Sequence, residues 1–76
     1  MNKNRRKALE KIHEKLEGLM LEIEELQQEE QEYADNMPEN LQGSEKHEKA
    51  ETAAYALDEA RESIQSCIDS IEEATE

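Results

Sequence analysis

Residues 36–43, Asn-Met-Pro-Glu-Asn-Leu-Gln-Gly, form the only break in a chain whose apolar residues otherwise recur at helical spacing. Pro38 disfavours helical backbone at the residue before it, and Gly43 permits a reversal of the chain. Ser44 is a good N-cap for a second helix. A connection of this length suits antiparallel neighbours. The sequence therefore predicts an all-α, coiled-coil-like fold in which two long helices pack as an antiparallel hairpin.

The two predicted helices carry the same 3-4 spacing of apolar residues. Helix one is expected at about residues 3–35, with Asn2 or Asn4 as N-cap, and helix two at about residues 44–74, all in a single domain. Leu9 and Ala50 are assigned to heptad position a, and only Glu30 interrupts the stripe of helix one. Sustained 3.5 spacing at a and d predicts a helix-packing seam. The seam is predicted to comprise Leu9, Ile12, Leu16, Leu19, Ile23, Leu26, Tyr33, Ala53, Leu57, Ala60, Ile64, Cys67 and Ile71.

The d positions of helix two are all small, which predicts that the two helix axes approach closely and that large side chains of helix one fill the space. Further apolar residues at e positions, outside this seam, widen the apolar face of each helix. A single hairpin has only one interface to bury, and so short a chain is marginal alone. A homodimer that forms a four-helix bundle is therefore expected. The e-position residues are Met20, Ala54 and Ile68.

Charge narrows the classes of partner. The 76 residues include 21 acidic and 9 basic side chains, for a formal net charge of −12. Phosphates need a basic face, so direct binding of nucleic acid is disfavoured. No apolar run approaches the roughly 18 residues that span a bilayer, and no apolar segment follows the basic start to make a signal peptide. The expected location is the cytoplasm, and the expected partner is a protein with a basic surface.

No residue set predicts catalysis, a cofactor or a metal site. Glu10 and His13 have the Glu-x-x-His spacing of di-iron bundles, but helix two offers no matching motif. His13 and His47 are interpreted as hydrated or locally hydrogen-bonded side chains. Cys67 is interpreted as a small buried hydrophobe, although an antiparallel register could bring His13 towards it. The chain is predicted not to be an enzyme.

Carboxylates on the outer positions of both helices form the predicted partner-binding surface. Neighbours three or four apart on a helix lie about 5–6 Å apart, on the scale of phosphate spacing, so rows of carboxylates can mimic a nucleic-acid backbone. The alternative is that these carboxylates are merely hydrated. The surface is predicted to comprise Glu22, Glu25, Glu29, Glu32, Asp35, Asp58, Glu59, Glu62, Asp69, Glu72, Glu73 and Glu76.

The turn, with the residues on either side of it, carries a resemblance. Residues 33–45 resemble the Asn-hydrophobe-Pro-Glu-polar-hydrophobe-Gln-x-Ser turn of small acidic proteins encoded in prophages and mobile elements of Firmicutes. Small acidic phage proteins without catalytic motifs include inhibitors of host defence, such as anti-CRISPR and anti-restriction proteins. The resemblance implies a phage-type protein that inhibits a host nuclease or DNA-binding protein in the host cytoplasm. The rival hypothesis is a dimerisation or phage-assembly module that acts through its apolar helix faces.

Overall fold

The computed structural model describes all 76 residues as two long helices joined by a short turn. Helix α1 spans Lys3–Asp35, and helix α2 spans Glu45–Thr75. A single 3-10 turn, Glu39–Leu41, lies between them, and the chain contains no strand. The hairpin is a rod whose principal extents are 59 × 15 × 13 Å. The predicted all-α, two-helix hairpin is confirmed.

Local sequence determines where each helix begins and how the chain turns. Oδ1 of Asn2 accepts a hydrogen bond from the amide of Arg5 at 2.8 Å, and Oγ of Ser44 accepts one from the amide of His47 at 3.2 Å. These caps satisfy amide groups that have no partner within the helix. Gly43 has a φ of +80°, a conformation that an L side chain strains to adopt. Both predicted N-caps and the predicted glycine reversal are therefore confirmed.

Contacts between the helices fix their antiparallel register. Nε2 of His13 lies 2.9 Å from Oε1 of Glu72, and Nη1 of Arg61 lies 4.0 Å from Oε1 of Glu24. At the open end, the Arg6 guanidinium donates hydrogen bonds to the carbonyl oxygens of Thr75 and Glu76. A cation there interacts favourably with the C-terminal end of the α2 dipole. The basic start of the chain thus lies beside its acidic end.

The interface between the helices uses positions a and e, not a and d. Ala34, Ala54 and Ile68 at e positions are buried, and Met20 at e is half-buried. The prediction that the d residues pack between the two helices of the hairpin is wrong for five members of the predicted seam, because all five are exposed. These exposed residues are Ile12, Leu19, Leu26, Tyr33 and Cys67.

Two features of the chain account for the a/e interface. On α2, the a and e positions together carry Leu57, Ile64, Ile68 and Ile71, whereas its d positions from Ala53 to Ala74 are all small, so the a/e face of α2 buries more apolar area than its a/d face would. At the turn, Ala34 and Met37 pack against Ala50 in the one buried cluster that joins the helices. All three residues stand at a or e positions, so the cluster belongs to the a/e interface. Glu30, at a, lies half-buried within the interface.

The hairpin consequently has two different long sides. On one side, position b residues of one helix meet position e residues of the other, as in the pairs His13–Glu72 and Glu24–Arg61. On the opposite side, the d positions of the two helices are neighbours, because Nζ of Lys46 lies 5.8 Å from the ring centroid of Tyr33. We call the first the ionic side. We call the second the apolar side, and it comprises the d residues from Ile12 to Tyr33 on α1 and from Ala53 to Ala74 on α2.

The interior of the hairpin is thin. Five apolar residues are buried, and no large side chain is fully buried. Two helices alone enclose little volume, so much of the apolar surface of a single hairpin stays in contact with solvent. Neither helix contains a stretch with the length and hydropathy needed to cross a membrane.

Candidate interaction surfaces

The apolar side presents four large side chains in a row. Ile12, Leu19, Leu26 and Tyr33 recur every seven residues along α1, and each is between 45% and 54% exposed. At a rise of about 1.5 Å per residue, the row runs for about 32 Å. Single exposed apolar residues are ordinary, but a contiguous row is typical of a surface that contacts another protein.

Small side chains on α2 lie beside this row. From the His13–Glu72 and Glu24–Arg61 register, the four large residues lie level, within one residue, with Ala74, Cys67, Ala60 and Ala53, respectively. The interpretation that these small residues receive the large ones inside the hairpin is wrong, because all four large residues are exposed; of the small ones, Cys67 and Ala74 are exposed and Ala53 and Ala60 are half-buried. The apolar side therefore has a ridge along α1 and a shallow trough along α2.

The twelve predicted partner-binding carboxylates do not form one surface. Eleven are exposed, whereas Asp58 is half-buried and accepts a hydrogen bond from Nε of Arg61 at 3.3 Å. Asp58 and Glu72 belong to the ionic side. The others occupy the outer edges of α1 and α2, which face in opposite directions away from the shared interface.

Along the rod, the two acidic edges are also offset. The α1 set lies in the half nearest the turn, whereas Asp69, Glu73 and Glu76 on α2 lie at the open end. In the antiparallel register, the centre of these three α2 residues lies about 24 Å along the axis from the centre of the α1 set, whereas Glu59 and Glu62 of α2 lie level with the α1 set. Of the predicted partner-binding carboxylates on α1, Asp35 accepts a hydrogen bond from Gln31, whereas the other four make neither an ion pair nor a side-chain hydrogen bond within the chain. They are Glu22, Glu25, Glu29 and Glu32, and we call them the α1 acidic row.

His13 bridges the two helices on the ionic side. Its Nδ1 lies 2.7 Å from Oε1 of Glu17, and its Nε2 lies 2.9 Å from Oε1 of Glu72. Both ring nitrogens must carry protons to donate to both carboxylates. The hydrogen bond to Glu72 has the largest effect and raises the pKa of His13 above its ordinary value of 6.5. Desolvation, the next largest effect, opposes this rise, whereas the negative charges of Glu17 and Glu72 and the hydrogen bond to Glu17 add to it. The interpretation of His13 as a merely hydrated flank residue misses this bridge, which only the register between distant segments creates.

His47 is buried in the first turn of α2, which the sequence does not reveal. Its Nδ1 lies 2.8 Å from Oε1 of Glu51 and 3.3 Å from the amide nitrogen of Gly43. One nitrogen cannot donate to the carboxylate and accept from the amide at the same time. The shorter contact indicates that Nδ1 carries a proton and donates to Glu51. His47 is thereby paired with Glu51, one turn further along α2.

The residues considered for chemistry are not brought together. Cys67 is exposed, so its interpretation as a buried hydrophobe is wrong. It belongs to the apolar side, whereas the ring nitrogens of His13 are occupied on the ionic side. The antiparallel register therefore does not pair this thiol with an imidazole base. No group of three or more His, Cys, Asp or Glu side chains is placed to hold a metal ion.

Neither a protein-family model, nor a curated protein, nor a solved structure matches this chain.

Proposed function

We propose that this protein is a non-catalytic protein-interaction module of the dimerisation or assembly kind, and that the apolar side makes its functional contact. One observation supports the proposal above all others. Ile12, Leu19, Leu26 and Tyr33 leave about half of each side chain exposed in one continuous row. Covering this row removes apolar surface from water, which stabilises the complex by about 25 cal/mol for each Å² buried.

Replacement of one row residue, with a matched control, tests the proposal. Leu19→Glu places a charge in the middle of the apolar side. Leu21→Glu makes the same change on the outer face of α1, where Leu21 is 62% exposed. In affinity capture from a lysate of a Firmicutes bacterium, Leu19→Glu should lose bound protein, while Leu21→Glu keeps it. Equal capture by both variants, at unchanged helicity in circular dichroism, would refute a role for the apolar side.

The α1 acidic row supports a second candidate, an inhibitor of a host nucleic-acid-processing protein. Glu22, Glu25, Glu29 and Glu32 have no basic partner, and no Lys or Arg occurs between Leu16 and Glu45. Such a row would attract a basic groove on a nuclease or DNA-binding protein. An anti-CRISPR or anti-restriction protein that blocks its target's nucleic-acid site would bind through this attraction. Because the acidic edges face opposite ways, one groove would engage one edge.

Charge reversal distinguishes the two candidates. Lysine at all four positions of the α1 acidic row should abolish capture of a basic partner and remove its salt dependence. The matched control reverses Glu59, Asp69, Glu73 and Glu76 on α2, which leaves the His13–Glu72 bridge intact. If neither reversal changes capture while Leu19→Glu abolishes it, the inhibitor candidate fails and the assembly candidate stands.

A further inference from the structure

We propose that a second copy of this chain covers the apolar side, with the α1 ridge of each copy lying in the α2 trough of the other. The inference rests on the proposed function, because it names the occupant of the same surface. The two copies would be related by a two-fold axis parallel to the rod, so that both turns lie at the same end of a four-helix bundle.

Shape favours this occupant. Large and small d residues lie level along the same side of one hairpin, so a copy rotated about the long axis places each large residue over a small one. Leu19 would lie over Cys67 of the partner subunit, and Leu26 over the partner's Ala60. Every layer would then hold two large and two small side chains. Such alternation fills the space between helices evenly.

Charge favours the same arrangement. The apolar side is bordered on α1 by Lys15, Glu22 and Glu29, and on α2 by a strip that is mostly uncharged. The strip consists of Lys49, Ala56, Ser63 and Ser70. In the rotated copy, the register brings Glu22 level with the partner's Ser63 and Glu29 level with the partner's Ala56. A two-fold axis perpendicular to the rod would instead bring Glu22 of both copies together.

The area is sufficient for a stable pair. The row from Ile12 to Tyr33 is about 32 Å long, and the hairpin is 15 Å wide, which gives a flat footprint of about 480 Å² on each copy. The full 59 Å length of the rod would nearly double this figure. The total buried area then lies between about 1,000 and 1,800 Å², that is, from the least area expected of a biological interface to the standard area of a specific one.

Sedimentation equilibrium tests the self-association. The wild-type protein should have twice the mass of the 8.8 kDa chain, and so should Leu21→Glu. Leu19→Glu combined with Leu26→Glu should sediment as a monomer at unchanged helicity. Added salt should strengthen the dimer, because it screens the repulsion between two chains of charge −12. A monomeric wild type, or a dimer that dissociates as salt is raised, would overturn the inference.

Cross-linking tests the arrangement. Within one hairpin, positions 19 and 67 lie on neighbouring helices whose axes are about 8–10 Å apart, and their side chains point the same way, which is too far for a disulfide. Between copies they face each other. With oxidised glutathione, Leu19→Cys should therefore form a covalent dimer, which Cys67→Ser in the same chain abolishes. Leu21→Cys is the control and should not cross-link through Cys67. A dimer in which Leu19→Cys gives no cross-link would overturn the arrangement.

These outcomes separate the inference from the proposed function. If the wild type is monomeric but Leu19→Glu still loses a captured protein, the apolar side is functional and its occupant is a different protein. If the dimer forms as proposed and capture is unaffected by Leu19→Glu, the dimer stands and the function through this side fails.

Discussion

Truncation of Ile68 measures how far the a/e interface holds the hairpin together. Ile68 lies at an e position of α2 and is only 3% exposed. Ile68→Ala removes about three methylene equivalents, each contributing about 0.8 kcal/mol when buried, so the transfer loss is about 2.3 kcal/mol. The cavity left behind adds to this loss, and substitutions of this kind usually cost about 2–5 kcal/mol. The free energy of unfolding should therefore fall by about 2–3 kcal/mol.

The same substitution at Ile12 provides the comparison. Ile12 lies at a d position and is 45% exposed, so scaling by its buried fraction gives a loss of about 1.3 kcal/mol, with little cavity to add. Urea unfolding followed by circular dichroism should resolve the gap of about 1 kcal/mol. The measurement should be made at the lowest usable protein concentration, because association would also stabilise the region around Ile12. Equal losses, or a larger loss at Ile12, would refute the a/e interface and restore the a/d seam.

Three further predictions concern the turn and the ionic side. Ser44→Ala removes the cap of α2 and should lower the free energy of unfolding by about 1 kcal/mol in thermal or urea denaturation, whereas Ser44→Asp should retain most of the stability. Gly43→Ala should cost about 1 kcal/mol by the same measurement, because of its φ of +80°; an unchanged midpoint would contradict the strained turn. The raised pKa of His13 means that its contribution to stability is complete below about pH 6.5 and is lost as pH rises through the folded-state value. The difference in free energy of unfolding between wild type and His13→Gln should therefore shrink from pH 6 to pH 8, by an amount that solvent screening keeps small. A difference that grows over this range would contradict the raised pKa of His13.

Local features of the fold could be predicted because their causes lie within a few residues. The amide of residue N3 bonds to the N-cap side chain, so Asn2 and Ser44 mark the helix starts without reference to any other part of the chain. Gly43 is the turn residue that adopts the positive φ the reversal needs, and glycine adopts it without steric cost. The exposure of Leu21 and Tyr55 also follows from their places off the apolar stripes.

The sequence by itself determined that two helices form, where they begin, that they run antiparallel, and that their apolar residues repeat every seven residues. Only the tertiary structure decided which of two adjacent apolar stripes on α1 is covered by α2. Heptad spacing makes a, d and e all apolar over parts of this chain, so periodicity alone cannot select between an a/d and an a/e interface. In the structure, Ala34, Met37 and Ala50 are buried together at the turn through a and e positions, and α2 buries more apolar area through e than it would through d. For the same reason the bridge from His13 to Glu72 and the exposed row from Ile12 to Tyr33 emerge only once the helices are packed.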